Sequence, residues 1–144
     1  MTQNNVLKGL KPEGVFRFFE EILAVPRPSK REEKMTEYLM NWAKARSLEH
    51  ERDEIGNVII RKQATSGMEN KPWVCLQSHI DMVCEKNNGV EHDFAKDPIK
   101  AVIEDGWMIA KETTLGADCG IGIAASLALL EDNTLEHGKI EALF

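Results

Sequence analysis

The chain has 144 residues, of which 42% are hydrophobic and 29% are charged, a composition typical of a globular protein with a buried core. The formal net charge of −6 argues against nucleic acid as a partner, because binding to a phosphate backbone normally requires a basic surface. A membrane partner and export are also disfavoured, since the most apolar stretch, residues 121–130, is too short to span a bilayer and residues 1–10 lack the apolar core of a signal peptide.

The first part of the chain is predicted to form two helices. Pro12 starts the first, in which apolar residues recur at helical spacing until Pro26. Ser29 and Glu32 have the spacing of a capping box, in which the hydroxyl and the carboxylate satisfy free amides of the first turn. We therefore expect a second helix after Ser29, ending near residues 46–48.

The middle of the chain is predicted to be rich in β-structure. A β-rich run at residues 58–60 follows a turn and is expected to pair with residues 50–52. Residues 73–76 are continuously apolar, as in a strand that is covered on both faces. Residues 102–103 and 107–109 predict a hairpin.

The last part combines a glycine-rich segment, a helix and the start of a strand. Residues 116–122 contain three glycines and run into an alanine- and leucine-rich helix that ends near Glu131. Residues 139–144 begin an alternating strand, and the absence of a turn or cap after it suggests a chain interrupted inside an element. The mixture of helices and strands predicts the α/β class, with residues 1–144 forming one incomplete domain.

The cysteines, Cys75, Cys84 and Cys119, are odd in number and include no C-x-x-C pair, which argues against a disulfide framework and a structural zinc knuckle. In the absence of an export signal we expect a cytoplasmic protein whose cysteines are reduced and act as small buried hydrophobes. A nucleophilic pair of Cys75 with His79 is disfavoured, because an apolar strand would stabilise a thiolate poorly.

The first candidate site is the motif QSHID at residues 77–81, directly after the apolar run. Ligand crevices open at the carboxyl ends of strands in α/β sheets. In extended backbone His79 and Asp81 would face the same space, where a neutral imidazole could bind a metal and the carboxylate could orient the ring or bind the metal itself. Taken alone the pattern is weak, since a histidine at a strand end is more often only hydrogen-bonded.

The second candidate is Asp118, at the entrance to the predicted helix. Taken alone, this residue is more often a helix cap. The surrounding glycines would let the backbone approach a ligand closely, and a carboxylate there could bridge two cations about 3.5–4 Å apart, as in two-metal hydrolysis. The glycine spacing matches no phosphate-binding loop, which disfavours nucleotide binding.

Taken together, these motifs resemble the aminoacyl-histidine dipeptidase family, also called peptidase D or Xaa-His dipeptidase, within the co-catalytic zinc metallopeptidases. The similar segments are residues 22–29, Trp42, and residues 53–58, 76–83, 86–88, 92–99 and 113–122. The resemblance spans nearly the whole chain. It implies the N-terminal part of a zinc-peptidase-like catalytic domain, with a mixed sheet flanked by helices and without the lid domain.

The resemblance also implies roles for particular residues. His79 would ligate a metal ion, Asp81 would orient His79 and raise its basicity, and Asp118 would bridge two metal ions. A full-length subunit would hold two Zn²⁺ ions, with Mn²⁺ or Co²⁺ as alternatives, and a water between them would attack the peptide carbonyl. The substrates would be dipeptides with a C-terminal histidine, including carnosine-like ones. Cys119 departs from the family, whose members often have asparagine at this position.

Other parts of the family pattern are not in this sequence. They are a pair of adjacent glutamates, one of them the general base, a further aspartate, a late histidine, and a lid domain that contacts substrate and joins two subunits into a homodimer. Because zinc takes about four ligands, we expect residues 1–144 alone to bind metal weakly and to lack peptidase activity.

Two alternatives remain open. The chain could be a non-catalytic binding or regulatory module that retains the front half of the fold, although such a module would need its sheet edge protected from aggregation. It could also come from a tripeptidase or a deacylase of the same wider family. The match through residues 86–99 favours the dipeptidase.

Overall fold

The computed structural model describes residues 5–144. The helices are α1 (Glu13–Leu23), α2 (Glu33–Ala45) and α3 (Ala117–Glu131). The strands are β1 (Glu49–Arg52), β2 (Val58–Lys62), β3 (Val74–Gln77), β4 (Ala101–Glu104), β5 (Trp107–Ala110) and β6 (Ile140–Leu143). None of the helices in this range combines the length and the apolar character that a membrane span needs.

Helix α1 forms where the apolar spacing predicts it. Pro12 lies at its N-cap with extended backbone, and the helix ends at Leu23, shortly before Pro26. Its buried face consists of Phe18, Phe19, Ile22 and Leu23. Burial of each such side chain stabilises the fold by roughly 1.5–3 kcal/mol relative to exposure, so this face anchors the helix.

Helix α2 forms as predicted, but the capping box predicted for it is wrong. The helix begins at Glu33, its N-cap residue is Glu32, and no side chain caps it. The Ser29 hydroxyl instead donates a hydrogen bond to the carboxylate of Asp81, 52 residues away in the sequence. A long-range partner has therefore replaced the local one that the spacing suggested.

The main sheet has the strand order β1-β2-β6-β3. Strand β1 pairs antiparallel with β2, with His50 opposite Ile60, as predicted. Strand β6 lies between β2 and β3, antiparallel to the first and parallel to the second. The sheet is therefore mixed, and it carries helices, which confirms the predicted α/β class.

The predicted hairpin is also present. Strands β4 and β5 pair antiparallel, with Glu104 opposite Trp107, so the loop between them is Asp105-Gly106. Both loop residues have positive φ, 50° and 81°, as required by the mirror-image turn that suits the twist of a two-residue hairpin.

Strand β3 forms as predicted, but the expectation that it is covered on both faces is wrong. It lies at the edge of the sheet and pairs only with β6. Trp73 and Val74 are 66% and 51% exposed, and the ammonium group of Lys139 lies 3.8 Å from the centre of the Trp73 ring. The run is apolar, but residues 5–144 contain no layer that packs over it.

The cysteines carry free thiols, as expected, but the expected burial is wrong. Cys75 is exposed because it lies on the edge strand β3, while Cys84 and Cys119 are half-buried. Burial raises the pKa of the Cys84 thiol, although the nearby guanidinium of Arg27 opposes that shift.

The core lies where α1, α2 and α3 pack with the inner strands. It includes the fully buried Phe18, Leu39, Ile60, Ile123 and Leu127. At its border Glu131 of α3 forms ion pairs with Arg17 of α1 and with Arg46, the C-cap residue of α2. These interactions fix α3, and therefore the loop that precedes it, against the rest of the domain.

Candidate metal centre

His79 and Asp81 follow the carboxyl end of β3, as the sequence predicts, and they are in contact. Nδ1 of His79 lies 2.9 Å from Oδ1 of Asp81. Because a carboxylate only accepts hydrogen bonds, Nδ1 carries the proton and donates it to Asp81. The other ring nitrogen, Nε2, faces the space at the carboxyl end of β3 that we call the opening of the site.

Asp118 lies on the other side of this opening, at the entrance to α3. Its backbone is not helical, with φ −93° and ψ 110°, and its carboxylate contacts the ring of His79 instead of a backbone amide of the helix. The alternative in which Asp118 caps the helix is therefore not what the structure shows. Its side chain is 98% exposed, and its Oδ1 lies 3.1 Å from Nε2 of His79.

The imidazole of His79 therefore lies between two carboxylates. A neutral ring that donates from Nδ1 has a lone pair on Nε2, which would face the acceptor oxygen of Asp118 without a proton. The contact is favourable only if a proton or a metal cation lies there. Partial burial lowers the pKa of His79, but hydrogen bonding to Asp118 and Asp81 outweighs it, so the pKa is raised overall.

The donor set fits a metal ion. Two atoms bound to one tetrahedral zinc lie about 3.3 Å apart, close to the observed separation of His79 and Asp118. Within residues 5–144, the side chains that could hold a metal together are His79, Asp118 and Cys119, whose ligand atoms lie within 4.8 Å of one another. Imidazole, carboxylate and thiolate are the ligands that Zn²⁺ prefers.

Cys119 belongs to this group, although the sequence identified it only as a departure from the family pattern. The peptide bond that links it to Asp118 is cis. Its backbone is also non-helical, so regular helical geometry begins only at Gly120. No local pattern marks a single cysteine as a ligand, so the sequence offered no signal for this position.

Ser29 is a second residue whose contribution the sequence did not reveal. The hydrogen bond from the Ser29 hydroxyl is the main cause of the lowered pKa of Asp81. Partial burial of Asp81 raises this pKa, and the hydrogen bond with His79 lowers it further. Asp81 therefore stays ionised while it accepts from His79. In many metal sites a charged carboxylate accepts the hydrogen bond of the ligating imidazole and so fixes the orientation of the ring.

Arg27 is a third such residue. Its side chain is only 1% exposed and is the largest of the fully buried side chains. Its guanidinium donates to backbone carbonyls in both candidate segments, those of Asp81 at 3.1 Å and Gly116 at 2.6 Å. A charged residue a few positions after the end of a helix is normally expected at the surface, so the burial of Arg27 could not be inferred from the local pattern.

The other histidines lie outside this group. His50, His92 and His137 are each half-buried. Nδ1 of His50 and of His137 contacts a backbone carbonyl at 2.7 Å, and the His92 ring packs edge-on against Phe94. Nε2 of His92 and of His137 is buried without a hydrogen-bond partner among residues 5–144.

No protein-family model matches the chain. Cytosol non-specific dipeptidase of Escherichia coli (strain K12) is 49% identical to it over 137 residues, which are 95% of this chain and 28% of that protein. The chain therefore spans 28% of the length of this curated relative.

Solved structures agree with this similarity. Aminoacylhistidine dipeptidase from Vibrio alginolyticus matches with a TM-score of 0.93 and 48% identity, over 95% of this chain and 28% of that chain. A tripeptidase from Staphylococcus aureus matches with a TM-score of 0.71 and 23% identity, over 90% of this chain and 35% of that one, and shows the fold alone. The resemblance found in the motifs is confirmed, and so is the fold of the N-terminal part of a zinc-peptidase-like domain.

Proposed function

We propose, from the similarity to dipeptidases, that residues 1–144 carry part of the active site of a metal-dependent dipeptidase. The observation that carries the proposal is the position of His79, whose ring nitrogens lie 2.9 Å from Asp81 and 3.1 Å from Asp118. Residues that are 39 apart in the sequence meet there. One relative is named a cytosol dipeptidase, which supports a cytoplasmic location for this protein.

The proposed roles are those that the family resemblance implies, and the donor atoms are compatible with them. His79 would hold one metal ion through Nε2, and Asp118, with two carboxylate oxygens, would help to hold that ion and a second one. Asp81 keeps the proton on Nδ1 and so keeps the lone pair of Nε2 directed at the metal. When bound, divalent metal ions supply Lewis-acid activation of water and of the scissile carbonyl.

We propose Zn²⁺ as the native metal, two ions in a full-length subunit. Imidazole, carboxylate and the nearby thiol of Cys119 suit zinc, whereas Mn²⁺ prefers oxygen ligands and Co²⁺ tolerates the same geometry as zinc. The substrates proposed are dipeptides with a C-terminal histidine, such as carnosine. The names of the relatives differ on this point, since one is a non-specific dipeptidase and another an aminoacylhistidine dipeptidase.

Residues 1–144 offer fewer ligands than two metal ions require. Zinc takes about four ligands, and the group within the described residues has three side chains. We propose that the remaining ligands, the general base, and the lid domain that forms the homodimer lie in the part of the relatives that this chain does not match. On its own the chain should bind metal weakly and should not turn over substrate.

The metal site can be tested on the chain itself. Zn²⁺ affinity would be measured by competition with a coloured chelator for the wild type, His79→Ala and Asp118→Asn, with His50→Ala on strand β1 as the control. Both site variants should lose binding, and His50→Ala should match the wild type. Equal binding in all four proteins would remove the metal site and the proposed function with it.

Catalysis can be tested in a chimera. This chain would replace the matching 28% of the Escherichia coli dipeptidase. On our proposal the rest of that protein supplies the missing ligands. We expect hydrolysis of carnosine and other Xaa-His dipeptides, lost in His79→Ala. A folded chimera that binds zinc but cleaves no dipeptide would point instead to a binding or regulatory module.

A further inference from the structure

Arg27 occupies an unusual place for a charged side chain. It lies between the two segments that carry the candidate ligands and is 1% exposed. Burying a guanidinium costs several kcal/mol unless its donors are satisfied and its charge is compensated. Three backbone carbonyls accept hydrogen bonds from the Arg27 guanidinium, and the carboxylate of Asp81 compensates its charge.

The guanidinium joins two separate segments of backbone. Nη1 donates to the carbonyls of Ile80 and Asp81, at 3.4 and 3.1 Å, immediately after His79. Nη2 donates to the carbonyl of Gly116 at 2.6 Å, two residues before Asp118. The two nitrogens belong to one rigid plane, so the positions of the two carbonyl groups are fixed relative to each other.

The main chain of the same residue adds a further link. The carbonyl of Arg27 accepts a hydrogen bond from the amide of Met82 at 3.0 Å. Burial lowers the pKa of the guanidinium, and the negative charge of Asp81 opposes that shift. Asp81, which orients His79, thus also compensates the buried charge.

Glycines at the entrance and in the first turn of α3 leave space for this side chain. A Cβ atom at Gly116 would lie 2.7 Å from Nη2 of Arg27, and one at Gly120 would lie 2.8 Å from the same atom. Real Cβ contacts are essentially never this short. Two of the glycines that the sequence showed in residues 116–122 therefore make room for the guanidinium.

We propose that Arg27 is a positioning residue that holds the His79 and Asp118 segments at the separation needed to share a metal ion. The proposal rests on the proposed function, since a shared metal gives that separation its purpose. Arg27 itself contacts backbone carbonyls and neither ligand side chain, so it acts on the metal through the two segments.

Whether loss of Arg27 weakens or tightens metal binding distinguishes this positioning role from direct electrostatic repulsion of the metal ion. A guanidinium and a metal ion are both cations, so removal of the charge alone would tighten metal binding. Loss of the link between the segments would weaken it. Arg27→Met removes charge and link, whereas Arg27→Lys keeps the charge on a single ammonium group that cannot hold both segments in one plane.

Zinc affinity would be measured by chelator competition for the wild type, Arg27→Met and Arg27→Lys. The control is Arg61→Met, which removes another arginine, one that bridges Glu49, Glu51 and Glu141 in the sheet. We expect both Arg27 variants to bind zinc at least about ten-fold more weakly, as for loss of other supporting residues, and Arg61→Met to bind like the wild type. Unchanged or tighter binding in Arg27→Met would overturn the proposal.

A second readout does not depend on metal. Hydrogen–deuterium exchange of the metal-free chain should become faster around residues 80–82 and 116–119 in Arg27→Met, whereas Arg61→Met should affect only the sheet. If neither the wild-type chain nor the chimera with the Escherichia coli dipeptidase binds zinc, the proposed function fails. Exchange that is unchanged in both segments of Arg27→Met would separately show that Arg27 does not link them.

If the Arg27 variants do not fold, Gly120→Ala provides the test. Its Cβ would meet Nη2 of Arg27 and a ring carbon of Phe19, while Gly14→Ala in α1 meets only Ala128 at an ordinary 3.4 Å and serves as the control. Gly120→Ala should weaken zinc binding and Gly14→Ala should not. Equal zinc binding in the two variants would overturn the proposal.

Discussion

Nδ1 of His79 lies 2.9 Å from Oδ1 of Asp81, the residue two positions further along the chain. This contact sets the tautomer of the ring, because the carboxylate can only accept a hydrogen bond. The orientation of the candidate metal ligand therefore depends on a residue that need not touch the metal.

Replacement of Asp81 should weaken metal binding without removing a ligand. In Asp81→Asn the negative charge that makes His79 more basic is lost, and loss of such a partner typically costs about 10–100-fold in metal affinity. The measurement is chelator competition with Zn²⁺. Asp105→Asn, in the β4–β5 turn, is the control, and wild-type affinity in Asp81→Asn would show that Asp81 does not support the ligand.

The raised pKa of His79 predicts how the stability of the metal-free protein varies with pH. Burial lowers this pKa, but the bonds to Asp118 and Asp81 raise it above the ordinary value of 6.5. A raised folded-state pKa gives stability that is fully present below the unfolded value and is lost as pH rises through the folded value.

The free energy of unfolding, measured with urea from below pH 6.5 to above the folded-state pKa of His79, should therefore fall as pH rises. His79→Gln should reduce this pH dependence, and His50→Gln should leave it intact. Zinc binding should show the opposite trend and strengthen as pH rises, because the metal must displace a proton from the ring. Zinc affinity independent of pH in this range would contradict a ligand role for His79.

The ion pairs of Glu131 should stabilise the packing of α3. Nε and Nη2 of Arg46 donate to the same carboxylate oxygen at 3.0 and 2.6 Å, and Arg17 bonds to the other oxygen. Glu131→Gln should destabilise the protein by about 1 kcal/mol, the upper end for partly exposed pairs. Chemical denaturation measures this, with Glu13→Gln, in the exposed pair with Lys11, expected to have no effect.

The same group predicts an acid sensitivity. Burial raises the pKa of Glu131, but the bonds to Arg46 and Arg17 lower it below the ordinary value of 4.5. Its stabilisation is therefore present above that value and is lost as pH falls through the folded pKa. The difference in stability between wild type and Glu131→Gln should disappear in acid, and a difference that persists there would have another cause.

Leu127 should be the more sensitive of two neighbouring leucines on α3. It is fully buried, and removal of such a side chain leaves a cavity, so Leu127→Ala should cost about 2–5 kcal/mol. Leu129, which is 38% exposed, is the matched control and should cost much less. Equal losses in thermal or urea unfolding would contradict the packing described for this helix.

Local patterns predicted most of the elements but not all of their surroundings. Pro12 with the apolar spacing that follows it, and the turn at Asp105, gave α1 and the β4–β5 hairpin because both depend on neighbouring residues. The burial of residues 73–76 was predicted wrongly, because coverage of a strand depends on what packs over it. The same limit applies to Ser29, whose hydroxyl had a local option and took a distant partner.

The candidate site shows the same division. The pairing of His79 with Asp81 follows from the two-residue period of extended backbone, so the sequence could predict it. The approach of Asp118 to His79 depends on the fold. The glycine-rich context made Asp118 a candidate ligand, but only the family resemblance favoured that role over a helix cap. Arg27 could not be found from the sequence, because its role depends on carbonyl groups from segments that are 54 and 89 residues away.

The central place of β6 has a consequence for synthesis on the ribosome. Strands β2 and β3 do not pair with each other, and β3 joins the β1–β2 pair only through β6. The sheet therefore cannot close until residues 140–143 have left the exit tunnel, more than sixty residues after β3. During that interval β3 lacks the neighbour it has in the folded sheet, and unpaired strand edges of this kind make an incomplete chain prone to aggregation.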